Sequence, residues 1–211
     1  MSKVKICGLS RTEDIAAVNE VLPDFVGFVF APSRRRVDFH TAAMLKVNLD
    51  LRVKTVGVFV NEIVDTVVQI YRHRLIDLVQ LHGDEDDEYI RRLKDLCGCP
   101  VIKVICVGDS PPALPPENDC LRDFLIFDTI SASARRGGTG KAFDWNMVKH
   151  YREKPYFLAG GISADNVADA VGLLSPFCVD VSSGVETDGV KDADKIAEFV
   201  RIVREVNDEN R

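Results

Sequence analysis

Short apolar runs recur from one end of the 211-residue chain to the other, each followed by a segment that reads as a helix or a polar loop. The runs are Lys3–Cys7, Phe25–Phe30, Thr55–Val60, Asp77–Leu81, Val101–Val107, Phe124–Asp128, Tyr156–Ala159 and Cys178–Val181. They are continuous rather than alternating, as expected of parallel strands covered on both faces. Helical patterns follow at Thr12–Leu22, Phe39–Leu49, Ile63–His73, Asp86–Leu96, Asn146–Arg152, Ala164–Leu174 and Ala193–Val206. Ser10 or Thr12 is the expected cap of the first helix, and the terminal NDENR is expected to fray. Between the fifth and sixth runs, four prolines from Asp109 to Asp119 predict an irregular connection.

Strand–helix alternation implies parallel strands joined by right-handed crossovers. An open doubly wound sheet is the rival, but it carries a glycine fingerprint at its first turn, and Gly8 stands alone here. The expectation is therefore one α/β domain over residues 1–211, folded as a (β/α)8 barrel of the TIM type. Net charge is −6, which offers no general attraction to nucleic acid or an anionic membrane. No secretory leader or membrane span is legible, so a cytoplasmic setting with reduced thiols is expected for the six cysteines. Cys97, Cys99 and Cys106 lack the spacing and the histidines of a metal centre, and no metal is expected.

The last two runs end in small residues: Gly160, Gly161 and Ser163 after the seventh, and Ser182, Ser183 and Gly184 after the eighth. Glycine-rich turns expose backbone N–H groups, and in such barrels the loops after strands seven and eight commonly hold a phosphate. Polar residues at the C-terminal strand ends are then active-site candidates: Cys7, Arg34 to Arg36, Asn61, Gln80, His82, Asp128 and Asp180. Closing the ring sets Asp128 and Cys7 on opposite sides of a molecule held at the phosphate turns, an acid and a base across a sugar phosphate. Cys7 needs electropositive surroundings to ionise near neutral pH. Arg34 and Arg35 are expected in solvent, and so are His40, His73 and His150; Gln80 and His82 face the mouth without an assigned role.

KICGLSRTED (Lys5–Asp14), VGFVFAPSRRRV, VGVFVN, VQLHGDE, FDT, GGTGKAFDW, AGGIS-x-x-NV and VDVSSGVE follow one another along nearly the full chain. In that order they resemble the phosphoribosylanthranilate isomerases of tryptophan biosynthesis. The resemblance implies an Amadori rearrangement of N-(5-phosphoribosyl)anthranilate to 1-(2-carboxyphenylamino)-1-deoxyribulose 5-phosphate, with no cofactor. It makes Cys7 the general base and Asp128 the general acid. Arg36 would bind the anthranilate carboxylate, and Asp180 a sugar hydroxyl. Gly160, Gly161, Ser183 and Gly184 would hold the phosphate, and the loop Ser131–Lys141 would close over the site. The resemblance implies a small phosphosugar substrate, and a monomer or homodimer is expected. The aminoaldose isomerase of histidine biosynthesis is an alternative, but that family carries aspartate where Cys7 stands and binds two phosphates. A non-catalytic phosphate-binding barrel is a second alternative.

Overall fold

A computed structural model describes residues 1–116, 118–129 and 142–209. Eight parallel strands close into a barrel in sequence order. They are β1 (Lys3–Cys7), β2 (Phe25–Val29), β3 (Lys54–Phe59), β4 (Leu78–Leu81), β5 (Val101–Val107), β6 (Phe124–Thr129), β7 (Tyr156–Leu158) and β8 (Cys178–Val181). The ring is sealed by β1 against β8, where Lys5 lies opposite Asp180 and Ile6 opposite Val181. Helices α1 (Thr12–Val21), α2 (Phe39–Asn48), α3 (Val64–Arg72) and α4 (Asp87–Cys97) follow the first four strands. Two more, α5 (Val167–Leu174) and α6 (Ala193–Glu209), follow β7 and β8. The Ser131–Lys141 loop lies outside the described residues.

Alternate residues of each strand face opposite sides of the sheet. One side builds a small apolar cluster from Phe25, Val56, Leu78, Ile102, Ile126, Phe157 and Cys178, which fills the barrel. The other side builds a larger cluster with the helices, including Ile6, Phe28, Phe59, Leu81, Phe127 and Phe199. Lys5, Cys7, Gln80, Asp128 and Asp180 share the inward parity of the small cluster and are all buried. The barrel is therefore apolar toward the N-terminal ends of its strands and polar toward the C-terminal ends.

Three local expectations are corrected and a fourth is met. Neither Ser10 nor Thr12 caps α1; the Asp14 carboxylate reaches back to accept from Ser10 N at 2.9 Å and Arg11 N at 3.1 Å. The one that is met is the irregular connection from β5 to β6: among the described residues no helix joins them, since prolines remove donors and bias the preceding residue away from helical angles. Among the described residues after β6 there is a 3₁₀ turn, Trp145–Met147, rather than a helix over Asn146–Arg152. Successive i→i+3 bonds, Val148 N to Trp145 O and Tyr151 N to Val148 O, carry Val148 and Tyr151 into the core there. Finally, the tail is helical to Glu209. Buried Asn207 accepts from Ser2 N at 2.7 Å and donates to Ser2 O at 2.8 Å, tying α6 to the chain start.

Candidate active site

The two glycine-rich turns meet at the C-terminal end of the barrel. Gly160 and Gly161 have φ of 79° and 70°, angles that L side chains rarely adopt. A Cβ on Gly160 would fall 2.6 Å from Thr129 N and 3.0 Å from Asp128 Oδ1, so this turn lies directly on the end of β6. A Cβ on Gly184 would fall 2.3 Å from Ile162 O, so the turns after β7 and β8 are in backbone contact. Asn166 holds the first turn by accepting from Ser163 N at 3.0 Å and donating to Gly161 O at 2.8 Å. The N–H groups of Gly161, Ser183 and Gly184 have no acceptor among the described residues. Backbone amides brought together in this way can act as an anion cradle. Helix α5 begins only at Val167, so loop amides, rather than the helix terminus itself, form the first half of the cradle. Gly160→Ala should strain this turn and press on Asp128; we expect a lower melting temperature and a raised KM, read by thermal unfolding and steady-state kinetics.

Asp128 stands at the end of β6. Its Oδ1 accepts from Thr129 N at 2.7 Å, and its Oδ2 lies 3.3 Å from His82 Nε2. The His82 Nδ1 is 3.1 Å from Gln80 Nε2. The imidazole thus bridges the Gln80 amide and the Asp128 carboxylate. The sequence placed Gln80 and His82 at the mouth but gave them no task; their strand parity with Asp128 across the barrel is what the fold adds.

Cys7 ends β1, with its Sγ against the backbone of Gly27, where a Cβ would fall 2.7 Å from the sulfur. Ser182 Oγ donates to Cys7 O at 3.0 Å, which fastens the end of β1 to the second glycine turn. Burial pushes the Cys7 thiol up from its ordinary value, Lys5 and Lys191 pull it down, and Asp180 adds to the rise. Asp180 faces the same space and pairs through Oδ2 with Lys5 Nζ at 2.8 Å. Its buried Oδ1 has no hydrogen-bond partner among the described residues, leaving one oxygen able to accept from a ligand hydroxyl.

Two details of the basic loop differ from expectation. Arg34, exposed as expected, and Arg35, half-buried, both pair with Glu186, at 2.5 and 2.6 Å. Glu186 opens a small hairpin that the sequence did not suggest, β9 (Glu186–Thr187) with β10 (Val190–Lys191). Arg36 differs from its neighbours. It pairs by a backbone bridge with Val29 at the end of β2, is exposed, and its guanidinium has no ion-pair partner among the described residues. Asn61 is a structural residue: Glu85 accepts from Asn61 N and Gly83 N at 2.7 and 2.9 Å, and Asn61 Oδ1 accepts from Asp84 N at 2.7 Å. Lys103 Nζ completes that knot at 2.8 Å from Glu85. Among the described residues no group of acidic, histidine and cysteine side chains is placed to hold a metal, and no helix is long and apolar enough to cross a membrane.

The family model of N-(5'phosphoribosyl)anthranilate (PRA) isomerase matches residues 4–202. A relative from Endomicrobium trichonymphae, an N-(5'-phosphoribosyl)anthranilate isomerase, is 50% identical over 204 residues, covering 97% of this chain and 99% of its own. The fold is similar to that of the phosphoribosyl anthranilate isomerase of Thermotoga maritima, with a TM-score of 0.82, 36% identity, and coverage of 97% of this chain and 100% of that one. A further phosphoribosyl anthranilate isomerase, at TM-score 0.78 and 34% identity, covers 97% of this chain and 100% of its own, and was solved in complex with reduced 1-(o-carboxyphenylamino)-1-deoxyribulose 5-phosphate. With its closed eight-stranded barrel and a match running almost from end to end, the chain belongs to the N-(5'-phosphoribosyl)anthranilate isomerase family.

Proposed function

We propose that this isomerase converts N-(5'-phosphoribosyl)anthranilate to 1-(2-carboxyphenylamino)-1-deoxyribulose 5-phosphate with Asp128 as general acid and Cys7 as general base. The whole of residues 1–211 serves as one catalytic domain. The observation that carries this reading is the placement of Asp128 and Cys7. Gly160 packs on Asp128 on one flank of the amide cradle, and Ser182 bonds to Cys7 on the other.

With the phosphate on the amides of Gly160, Gly161, Ser183 and Gly184, the ribose lies over the barrel mouth. Asp128 gives a proton to the ring oxygen, the C1–O bond breaks, and the nitrogen lone pair forms a C1=N iminium. Cys7 then takes the C2 proton. The C2–H electron pair becomes a C1–C2 enamine double bond, and the iminium nitrogen becomes neutral. The resulting enolamine tautomerises to the C2 ketone. The substrate nitrogen supplies the electron sink, so the reaction draws on acid–base groups of the chain alone. The partnerless Oδ1 of Asp180 suits a ribose hydroxyl, which fixes C2 near the sulfur. None of the six cysteines forms a disulfide, which suits a reducing cytosol.

Arg36 is the group for the anthranilate carboxylate, because a planar guanidinium meets a carboxylate with two parallel bonds. Arg36→Ala is expected to raise KM by about tenfold or more with a small effect on kcat, a binding loss of the size of one charge-assisted hydrogen bond. Fluorescence decay of freshly prepared substrate in the presence of the purified protein tests the function. Turnover is the expected result. Turnover confined to the aminoaldose substrate of histidine biosynthesis would overturn it.

A further inference from the structure

Lys5 is one of the largest wholly buried side chains in the protein, although it is a charged residue. A buried ammonium is costly unless it is paired, and Lys5 Nζ has Asp180 Oδ2 at 2.8 Å. Lys5 also precedes Cys7 by two residues on the same strand, so both side chains point into the barrel. Asp180 lies opposite Lys5 on β8, and the Lys5 charge acts on the Cys7 thiol against the effect of burial. One cation thus stands between two groups that can carry negative charge. A purely structural lysine needs only one of them.

We propose that Lys5 is the counter-ion of the Cys7 base, its ammonium shared between the Asp180 carboxylate and the Cys7 sulfur so that a thiolate can exist in a dry barrel. The proposal rests on the reading of Cys7 as the general base, and it names what makes that base available. Lys5 is a positioning residue: it reaches the reaction through Cys7 and does not touch the reacting carbon.

The other charges around the sulfur fit this arrangement. From the β9–β10 hairpin comes Lys191, itself buried, donating to Glu186 at 2.8 Å and to Ser182 O at 2.8 Å. Lys191 is committed to Glu186, whose carboxylate also takes Arg35, so its charge is largely answered there. β2 presents only the backbone of Gly27 to the sulfur. Across the barrel, Asp128 and His82 act on Asp180 with opposite sign. Burial works against a charged Lys5, but Asp180 and Cys7 together hold it above the ordinary lysine range. Asp180 plays a double part. Its charge holds Lys5 in place, and its negative field opposes a thiolate beside it.

The test reads the thiolate and not turnover. Ultraviolet absorbance of the thiolate near 240 nm is titrated with pH and referenced to Cys7→Ala, which isolates Cys7 from the other cysteines. Lys5→Met is expected to move the Cys7 midpoint up by about one pH unit or more, a tenfold loss of thiolate at fixed pH. Lys5→Arg should keep the midpoint near that of the parent. The Lys5→Met kcat/KM profile should shift to higher pH by the same amount, so that alkaline pH recovers part of the rate. An unmoved midpoint in folded Lys5→Met overturns the proposal. Asp180→Asn gives an opposite and independent shift: it removes the competing anion, so the midpoint should fall. If Lys5→Met does not fold, the double variant Lys5→Met with Asp180→Asn, which removes the buried cation and anion together, is compared with Asp180→Asn alone, and a midpoint no higher in the double variant overturns the proposal. Failure of Cys7 as base would show instead as normal turnover by Cys7→Ala, whatever the thiolate titration gives.

Discussion

Replacing Cys7 with alanine is expected to lower kcat by about two to four orders of magnitude and to leave KM nearly unchanged, the signature of a lost general base. The substitution removes one sulfur from a strand end whose other contacts are backbone. Ser182 still bonds Cys7 O, and Gly27 still lies flush beneath the side chain, so fold and phosphate cradle persist. The pH dependence has a definite sign. Burial pushes the thiol above its ordinary value, with Lys5 and Lys191 opposing, and only the deprotonated form can accept the C2 proton. As pH rises through that raised value the base form fills, so kcat/KM should climb from neutral into the alkaline range. A rate that falls over that interval, measured with protein shown to stay folded, contradicts Cys7 as the base.

Asp128→Asn is the second substitution with a large expected effect, again about two to four orders of magnitude in kcat. Asparagine keeps an oxygen for Thr129 N, now bonded at 2.7 Å, and fills the same space beside Gly160. It cannot deliver a proton to the ring oxygen. Ring opening then depends on solvent, and Cys7 is left without an iminium to draw electrons from C2. A substrate supplied already in its open-chain form should recover much of the loss in Asp128→Asn and none of it in Cys7→Ala. That contrast, measured by single-turnover kinetics, separates the acid from the base.

Much of the barrel was legible because its signals are local. Runs such as FVGFV and TVGVF are too short and too continuous to be anything but buried strands, and they lie where β2 and β3 form. The glycines after β7 and the Ser-Ser-Gly after β8 declare open backbone, and both turns meet at one place. What escaped the sequence depends on partners far along the chain. Asn207 looked like part of a fraying tail because Ser2, which holds it, is at the other end. The arginines of SRRR look alike in sequence, and only the hairpin carrying Glu186 separates Arg34 and Arg35 from Arg36. Lys5 read as an ordinary strand residue; its meaning needs β1 and β8 to close the ring and set Asp180 opposite. Closure also brings Asp128 of β6 under Gly160, which no spacing within either motif announces.

The most direct measurement follows the C2 hydrogen itself. Substrate deuterated at C2 of the ribose is incubated in ordinary water, and the label is followed by proton NMR in substrate and product. The parent enzyme should release the C2 deuterium to solvent as product forms, with a slowed rate when that step limits turnover. Cys7→Ala should leave the label in place in recovered substrate, while still binding it through the amides of Gly160, Gly161, Ser183 and Gly184. Deuterium lost from C2 in Cys7→Ala at the rate of the parent enzyme would contradict the assignment of the base to Cys7.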